Sequence, residues 1–296
     1  MAVFYVAEKK QRSLVTDIFG KYVSKEVANE ILKKTTSEEL ILKGEKRVIT
    51  ILFSDIRHFT SISEKLRPED LVSFLNRYLS DMTDVIIENK GIVDKYIGDA
   101  IMAFWGAPLE EKNHARLACI AALAMKQKLE EEKMDFKIGI GINTGSVIVG
   151  NMGSLQRVNY TAIGDTVNIS SRLEGLNKEY GTTIIIGEAT YKEVKDEFVF
   201  RELDLIKVKG KDVPIRIYEL LGKKGSVGKK LLKTVRHFES GLSYYRQKKW
   251  SLAIAEFKQA AKLRRDVPSE VFIKRCKFLK KHPPKTFDGV FTMTTK

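Results

Sequence analysis

Two acidic residues stand where a chain would place them to hold a cation. Asp55 follows directly on Val48-Ile49-Thr50-Ile51-Leu52-Phe53-Ser54, a short apolar and β-branched run that reads as a buried strand. Asp99 lies in Ile97-Gly98-Asp99, between two further apolar runs at 91–96 and 100–105, where the spacing predicts a tight hairpin. Each has a bland reading when taken singly. Asp55 can cap the helix that follows, and Asp99 can serve simple turn chemistry. Taken together they carry more. A β-α-β-β order allows the two strands to be neighbours, and then the carboxylates converge. Two carboxylates near one point repel unless cations sit between them. Mg²⁺ takes a few carboxylates plus phosphate oxygens, which makes a nucleoside triphosphate the natural third party.

A second constellation lies downstream, in Asn159-Tyr160-Thr161-Ala162-Ile163-Gly164-Asp165-Thr166-Val167-Asn168 and on to Arg172 and Glu174. Asn168 and Arg172 are four apart on a predicted helix and share one face. An amide donor beside a guanidinium suits a charged phosphoryl transition state, although a solvated helix face would look the same. Other candidates are weaker. The glycines from 139 to 153 contain no GxxxxGK[ST] and read as hairpin turns rather than a phosphate loop. No GG[DE]EF run occurs, and the lone His58 reads as structural or solvated. Cys119 and Cys276 are far apart, with no CxxC or zinc spacing, so a buried, inert thiol at 119 and a reducing compartment are expected.

The elements that must position these residues fall into three segments. Residues 1–43 read as an N-terminal linker or transducer helix feeding the main domain, which spans 44–221. There the patterning predicts strands at 48–53, 91–96 and 100–105, and helices at 68–89, 113–133 and 165–178. A second hairpin is expected from 136–142 and 147–149, turning near Thr144-Gly145, with later strands at 182–186, 199–208 and 215–220. The fold class is α+β: a ferredoxin-like sandwich, a βαββαβ core with extra strands and helices. Residues 222–296 form a small C-terminal helical tail behind a Gly- and Lys-rich linker. Phe238, Leu242, Tyr245, Trp250, Ile254 and Phe257 resemble one tetratricopeptide-like helix pair, which cannot bury its own face and must dock on something.

The formal charge of +14 sits almost wholly in that tail, which carries 20 Lys and Arg against 5 Asp and Glu. The main domain is close to neutral, so no nucleic-acid partner is expected; the tail could meet a membrane surface through anionic lipids. No apolar stretch of about 18 residues or more is present, so no complete membrane span is expected. Met1–Ala7 is apolar but short, and reads as a frayed end or the stub of a membrane helix. The location expected is cytoplasmic, including the cytoplasmic part of a membrane-anchored protein.

Together the three motifs resemble the catalytic domain of class III adenylyl/guanylyl cyclases, of the bacterial adenylate cyclase type, over roughly 44–221. The resemblance implies roles by position. Asp55 and Asp99 match the two metal-binding aspartates, with the Ile56 carbonyl as a further ligand, for Mg²⁺ or Mn²⁺, two ions per site. Lys95 matches the reader of the purine edge and Thr161 its partner. Asn168 and Arg172 match the pair that places the ribose and stabilises the transition state, and Lys209 the lysine that grips the polyphosphate. A lysine donates and cannot accept, so it suits adenine N1, whereas guanine presents a donor there. ATP is therefore the expected substrate and 3′,5′-cyclic AMP with pyrophosphate the expected product. The resemblance also implies a homodimer with composite sites and a sensor upstream of the linker. A catalytically silent nucleotide-binding scaffold and a guanylate cyclase are the alternatives. His58 departs from the family, which often has glycine there.

Overall fold

The computed structural model describes residues 44–154, 157–207 and 213–292. The expected linker over 1–43, Met1–Ala7 included, lies outside them.

Strand β1 (Gly44–Ile56) leads through a one-turn helix α1 (Phe59–Ser63) into the long helix α2 (Pro68–Glu88). Pro68 suits the first helical turn, where a missing N–H costs nothing. Strands β2 (Ile92–Ile97) and β3 (Ala100–Trp105) form the expected hairpin, and helix α3 (His114–Glu131) returns the chain to β4 (Ile138–Ser154). These four strands lie in the order β2-β3-β1-β4, all antiparallel, which is the ferredoxin-like arrangement. Beyond β4 come β5 (Arg157–Ile163), helix α4 (Asp165–Tyr180), β6 (Ile184–Gly187), a short helix α5 (Glu188–Val194), β7 (Phe198–Lys207) and β8 (Ile215–Lys223). Among the described residues the sheet has nine strands, closed on one edge by β9 (Phe291–Thr292) beside β7.

Alternation along each strand feeds two different cores. Leu52, Ile140, Ile142 and Ile186 point to the face covered by α2, α3 and α5, where they meet Tyr78, Met82, Cys119 and Met125. Cys119 is fully buried and its thiol is pushed well above the usual range by that burial, as an inert core thiol should be. On the other face, Ile49, Ile51, Met102, Phe104, Val147 and Val149 form a smaller cluster with Ala162 of β5.

The second expected hairpin does not exist. Residues 138–154 are one strand, paired without interruption along β1 from Ile56↔Ile138 to Gly44↔Gly150. Its glycines make room instead of turns. A Cβ on Gly141 would fall 2.1 Å from the Glu174 backbone nitrogen, and one on Gly145 2.6 Å from Thr166 Oγ1. They let α4 lie directly against the strand, which fixes the helix that carries Asn168 and Arg172.

The tail folds as three helices, α6 (Lys229–Arg246), α7 (Trp250–Leu263) and α8 (Val267–Lys281), one more than the sequence predicts. The helix pair does dock. Phe238, Phe257 and Phe272 pack with Ile169, Leu173, Leu176 and Tyr180 of α4 and with Leu203, Ile206 and Ile217 of the sheet. Each fully buried phenylalanine contributes about 1.5–3 kcal/mol. Two ion-pair networks stitch the joint. Arg201 of β7 holds both Glu219 and Asp266, and Asp204 of β7 accepts from Tyr180 at 2.6 Å and from Arg275 at 2.5 Å. The tail is therefore packed through the same core as α4 rather than tethered beside it.

Candidate active site

The two aspartates meet. Asp55 is the penultimate residue of β1, opposite Gly139 of β4 and one residue past the Ser54↔Ile101 pair with β3. Asp99 sits in the β2–β3 turn after Gly98, whose φ of 65° is the left-handed turn conformation that favours glycine. Asp99 Oδ2 accepts the Ile56 N–H at 3.2 Å, which sets its carboxyl beside that of Asp55. The Asp55 carboxyl is pushed up to about 7. Burial is the largest cause, followed by the neighbouring Asp99 and the charge of Glu174, with Arg57 opposing. Two carboxylates this close disfavour ionisation unless a positive charge lies between them.

The oxygen donors of such a pair suit a hard cation. Among the described residues no group of three or more His, Cys, Asp or Glu converges on a metal position. Asp55 and Asp99 with the Ile56 backbone supply a partial shell, which substrate oxygens would have to complete. This fits Mg²⁺ or Mn²⁺ held jointly by protein and nucleotide.

Arg57, next in sequence, turns away to α4. Its Nη2 donates to the Glu174 carbonyl at 2.7 Å and pairs with the Glu174 carboxylate at 2.7 Å. The pair is largely buried over Gly139, where a Cβ would collide with the guanidinium. His58 then adopts φ 60° and ψ 30°, the left-handed region that favours glycine.

Lys95 and Thr161 are brought side by side by a residue that sequence reasoning missed. Asp94 Oδ2 accepts from Thr161 Oγ1 at 2.6 Å and from the Ala162 N–H at 3.3 Å, and its Oδ1 lies 3.2 Å from Lys95 Nζ. Neighbouring residues of a regular strand face opposite sides, so Asp94 and Lys95 should not cooperate. A β-bulge changes this: Val93 pairs with Ala103 and Lys95 with Met102, which leaves Asp94 as the extra residue. Asn168 is exposed and Arg172 half-buried, one turn apart on α4 as expected. Lys209 lies outside the described residues.

Residues 41–222 match the family model of the adenylate and guanylate cyclase catalytic domain. The chain belongs to this family. The cyclase domain is 38% identical over 185 residues to "Adenylate cyclase 1" of Rhizobium meliloti, a match covering 60% of this chain and 28% of the relative. The chain thus spans well under half of that longer protein. Among solved structures, the adenylyl cyclase CyaB from P. aeruginosa superposes with a TM-score of 0.58 at 34% identity, over 63% of this chain and all of that one. The guanylyl cyclase Cya2 superposes with a TM-score of 0.55, also at 34% identity, over 63% of this chain and 98% of that one. Cyclase domains of this family act on nucleotides as dimers and generally use divalent metal ions. Among the described residues no helix of this domain is long and apolar enough to cross a membrane.

Proposed function

We propose that this cyclase converts ATP to 3′,5′-cyclic AMP and pyrophosphate, as a homodimer whose sites are each built from two chains. Overall identity does not choose the base, since an adenylyl and a guanylyl cyclase stand equally near in sequence. The observation that carries the reading is local: Lys95 and Thr161 lie at one carboxylate, a cation beside a hydroxyl oxygen. Adenine offers an acceptor at N1 and donors at N6, which complement that pair.

Asp55, Ile56 and Asp99 would hold two Mg²⁺ or Mn²⁺ ions, which when bound supply acidification of the ribose 3′-hydroxyl and neutralisation of the polyphosphate. The partner chain's copies of Lys95 and Thr161 hold the adenine. Asn168 orients the ribose so that its 3′-oxygen faces the α-phosphorus in line with the leaving group. The new O3′–Pα bond forms as the bond from Pα to the pyrophosphate oxygen breaks, and the hydroxyl proton departs to solvent. Arg172 offsets the charge gathering on the α-phosphoryl oxygens, a contribution of roughly 3–4 kcal/mol by analogy with oxyanion donors. Lys209 holds the leaving pyrophosphate.

Incubation of the purified chain with ATP and Mg²⁺ or Mn²⁺ tests the reading. Cyclic AMP and pyrophosphate should form in equal amounts, and Asp99→Ala should abolish both. Nucleotide binding without product would leave a silent scaffold and refute the enzyme.

A further inference from the structure

The base-reading pair contains an ambiguity that Asp94 removes. A threonine hydroxyl is both a donor and an acceptor and rotates to suit its partner. Left to itself, Thr161 could accept from the amino group of adenine or donate to the O6 of guanine, and would choose neither. In this structure the rotor is fixed. The Thr161 hydroxyl proton points at Asp94 Oδ2 over 2.6 Å, a short contact for a hydroxyl donor to a carboxylate. The Ala162 N–H donates to the same oxygen at 3.3 Å and ties it to β5. The Asp94 side chain is wholly inaccessible to solvent, while Lys95 keeps 41% of its side-chain surface exposed. One partner is thus sealed beneath the site, and the other presents its ammonium to it.

We propose that Asp94 is a specificity-determining positioning residue: it commits the Thr161 hydroxyl to accepting and anchors the Lys95 ammonium, so that the pair fits adenine and repels guanine. The inference rests on Lys95 and Thr161 reading the base, and goes beyond it by assigning the sense of each hydrogen bond to a third residue. With the Thr161 proton engaged by Asp94, only lone pairs face the purine. Adenine N6 donates to them and adenine N1 accepts from Lys95. Guanine O6 meets lone pairs with lone pairs, and its N1–H meets an ammonium. Both mismatches arise without any side chain of the wrong size.

Two observations support a carboxylate here in place of any small polar residue. Asp94 Oδ1 lies within ion-pair reach of Lys95 but in poor hydrogen-bond alignment, so what it gives Lys95 is charge rather than a directed bond. Burial raises the Asp94 carboxyl above the usual carboxylate range, while Thr161, Lys95 and the Ala162 N–H all pull it back toward the ionised, accept-only form. The β-bulge that frees Asp94 from strand alternation is what brings it under both partners.

Asp94→Asn tests this with almost no change of shape. The amide carries no charge for Lys95: with its oxygen kept on Thr161 and the Ala162 N–H, its NH₂ faces the ammonium and releases it, and turned over, its NH₂ donates to Thr161 Oγ1 and frees the hydroxyl proton to face the base. The ratio of kcat/KM for ATP over GTP, and the binding ratio of fluorescent ATP and GTP analogues, should each fall by about tenfold or more. Thr161→Val should lower the ratio similarly, and the double variant should lose less than the two single losses combined, since only the Lys95 contact of Asp94 is left to remove. A merely structural Asp94 would weaken both nucleotides alike and act additively with Thr161→Val; that result overturns the proposal. If Asp94→Asn fails to fold by circular dichroism, Asp94→Ala is read in the same way. A wild type that prefers ATP while both Asp94 variants keep its ratio overturns this inference alone. A wild type indifferent to the base overturns the base-reading assignment with it.

Discussion

Asp55, at the end of β1, and Asp99, in the β2–β3 turn, meet at the open end of the β1–β3 pair, where Asp99 Oδ2 accepts the Ile56 N–H at 3.2 Å. The contact sets a pH dependence whose sign can be worked out. An ordinary aspartate titrates near 3.9, whereas burial and the neighbouring Asp99 push the folded Asp55 carboxyl up to about 7. Below the lower value both folded and unfolded chains hold the proton, and nothing is lost. Between the two values the unfolded chain has released it and the folded chain has not, so stability falls as pH rises. Above about 7 the loss is complete. Asp55→Asn abolishes the effect. In EDTA, the variant should melt higher than the wild type at pH 8 and near it at pH 4, with each kcal/mol relieved worth about 2–4 °C. Mn²⁺ should raise the wild-type melting temperature and leave the variant's unchanged. Parallel pH profiles in calorimetry would contradict a raised Asp55.

Arg57 and Glu174 brace the end of β1 against α4, and Gly139 leaves room for the guanidinium. Arg57→Ala strands a largely buried carboxylate and should cost about 3–5 kcal/mol in urea unfolding. Gly139→Ala should be damaging for another reason, because its Cβ would lie 1.4 Å from Arg57 Nη2. The two changes share one cause, so the double variant should be less destabilised than the sum of the single ones. Additive losses would mean that the glycine serves something other than the guanidinium.

The tail should behave as part of the fold. Asp204 is 1% exposed and held by Tyr180 and Arg275, so Arg275→Ala leaves a buried carboxylate short of its cation. A loss of about 3–5 kcal/mol is expected, with much of it recovered by Asp204→Leu with Arg275→Met. Ending the chain before Lys229 would bare Tyr180, Leu203, Ile206 and Ile217, and should yield aggregated protein on gel filtration. A soluble, fully active truncated chain would refute the shared core.

How much of this was legible beforehand follows from what each residue depends on. Asp55 and Asp99 were readable because an apolar run followed by a carboxylate is a local pattern, and the strand order that joins them follows from alternation and helix period. Asn168 and Arg172 were readable because a helix places residues four apart on one face. The length of β4 was not, because its glycines look like turns until α4 is seen lying on Gly141 and Gly145. Asp94 was hidden by its bulge, since regular alternation turns it away from Lys95. Helix α8 was missed because its apolar residues, Phe272 and Cys276 among them, make a face only when α4 and β7 are already beneath it.

The composite arrangement predicts complementation. Asp99→Ala and Arg172→Ala should each be inactive alone, because each homodimer lacks one group at both sites. Mixed and allowed to exchange, they should form heterodimers in which one site has lost both groups and the other is intact, with about a quarter of wild-type activity for random pairing of equal chains. Activity that stays at background when cross-linking shows heterodimers would place both residues in the same chain's site.

A direct competition tests whether the site in this cyclase domain makes cyclic AMP, as proposed. Equimolar ATP and GTP are given to the wild-type chain with Mn²⁺, and both cyclic products are separated and quantified in one reaction. Cyclic AMP is expected in at least about tenfold excess over cyclic GMP, as a site matched to its base by hydrogen bonds should give. Equal yields, or more cyclic GMP than cyclic AMP, would contradict it.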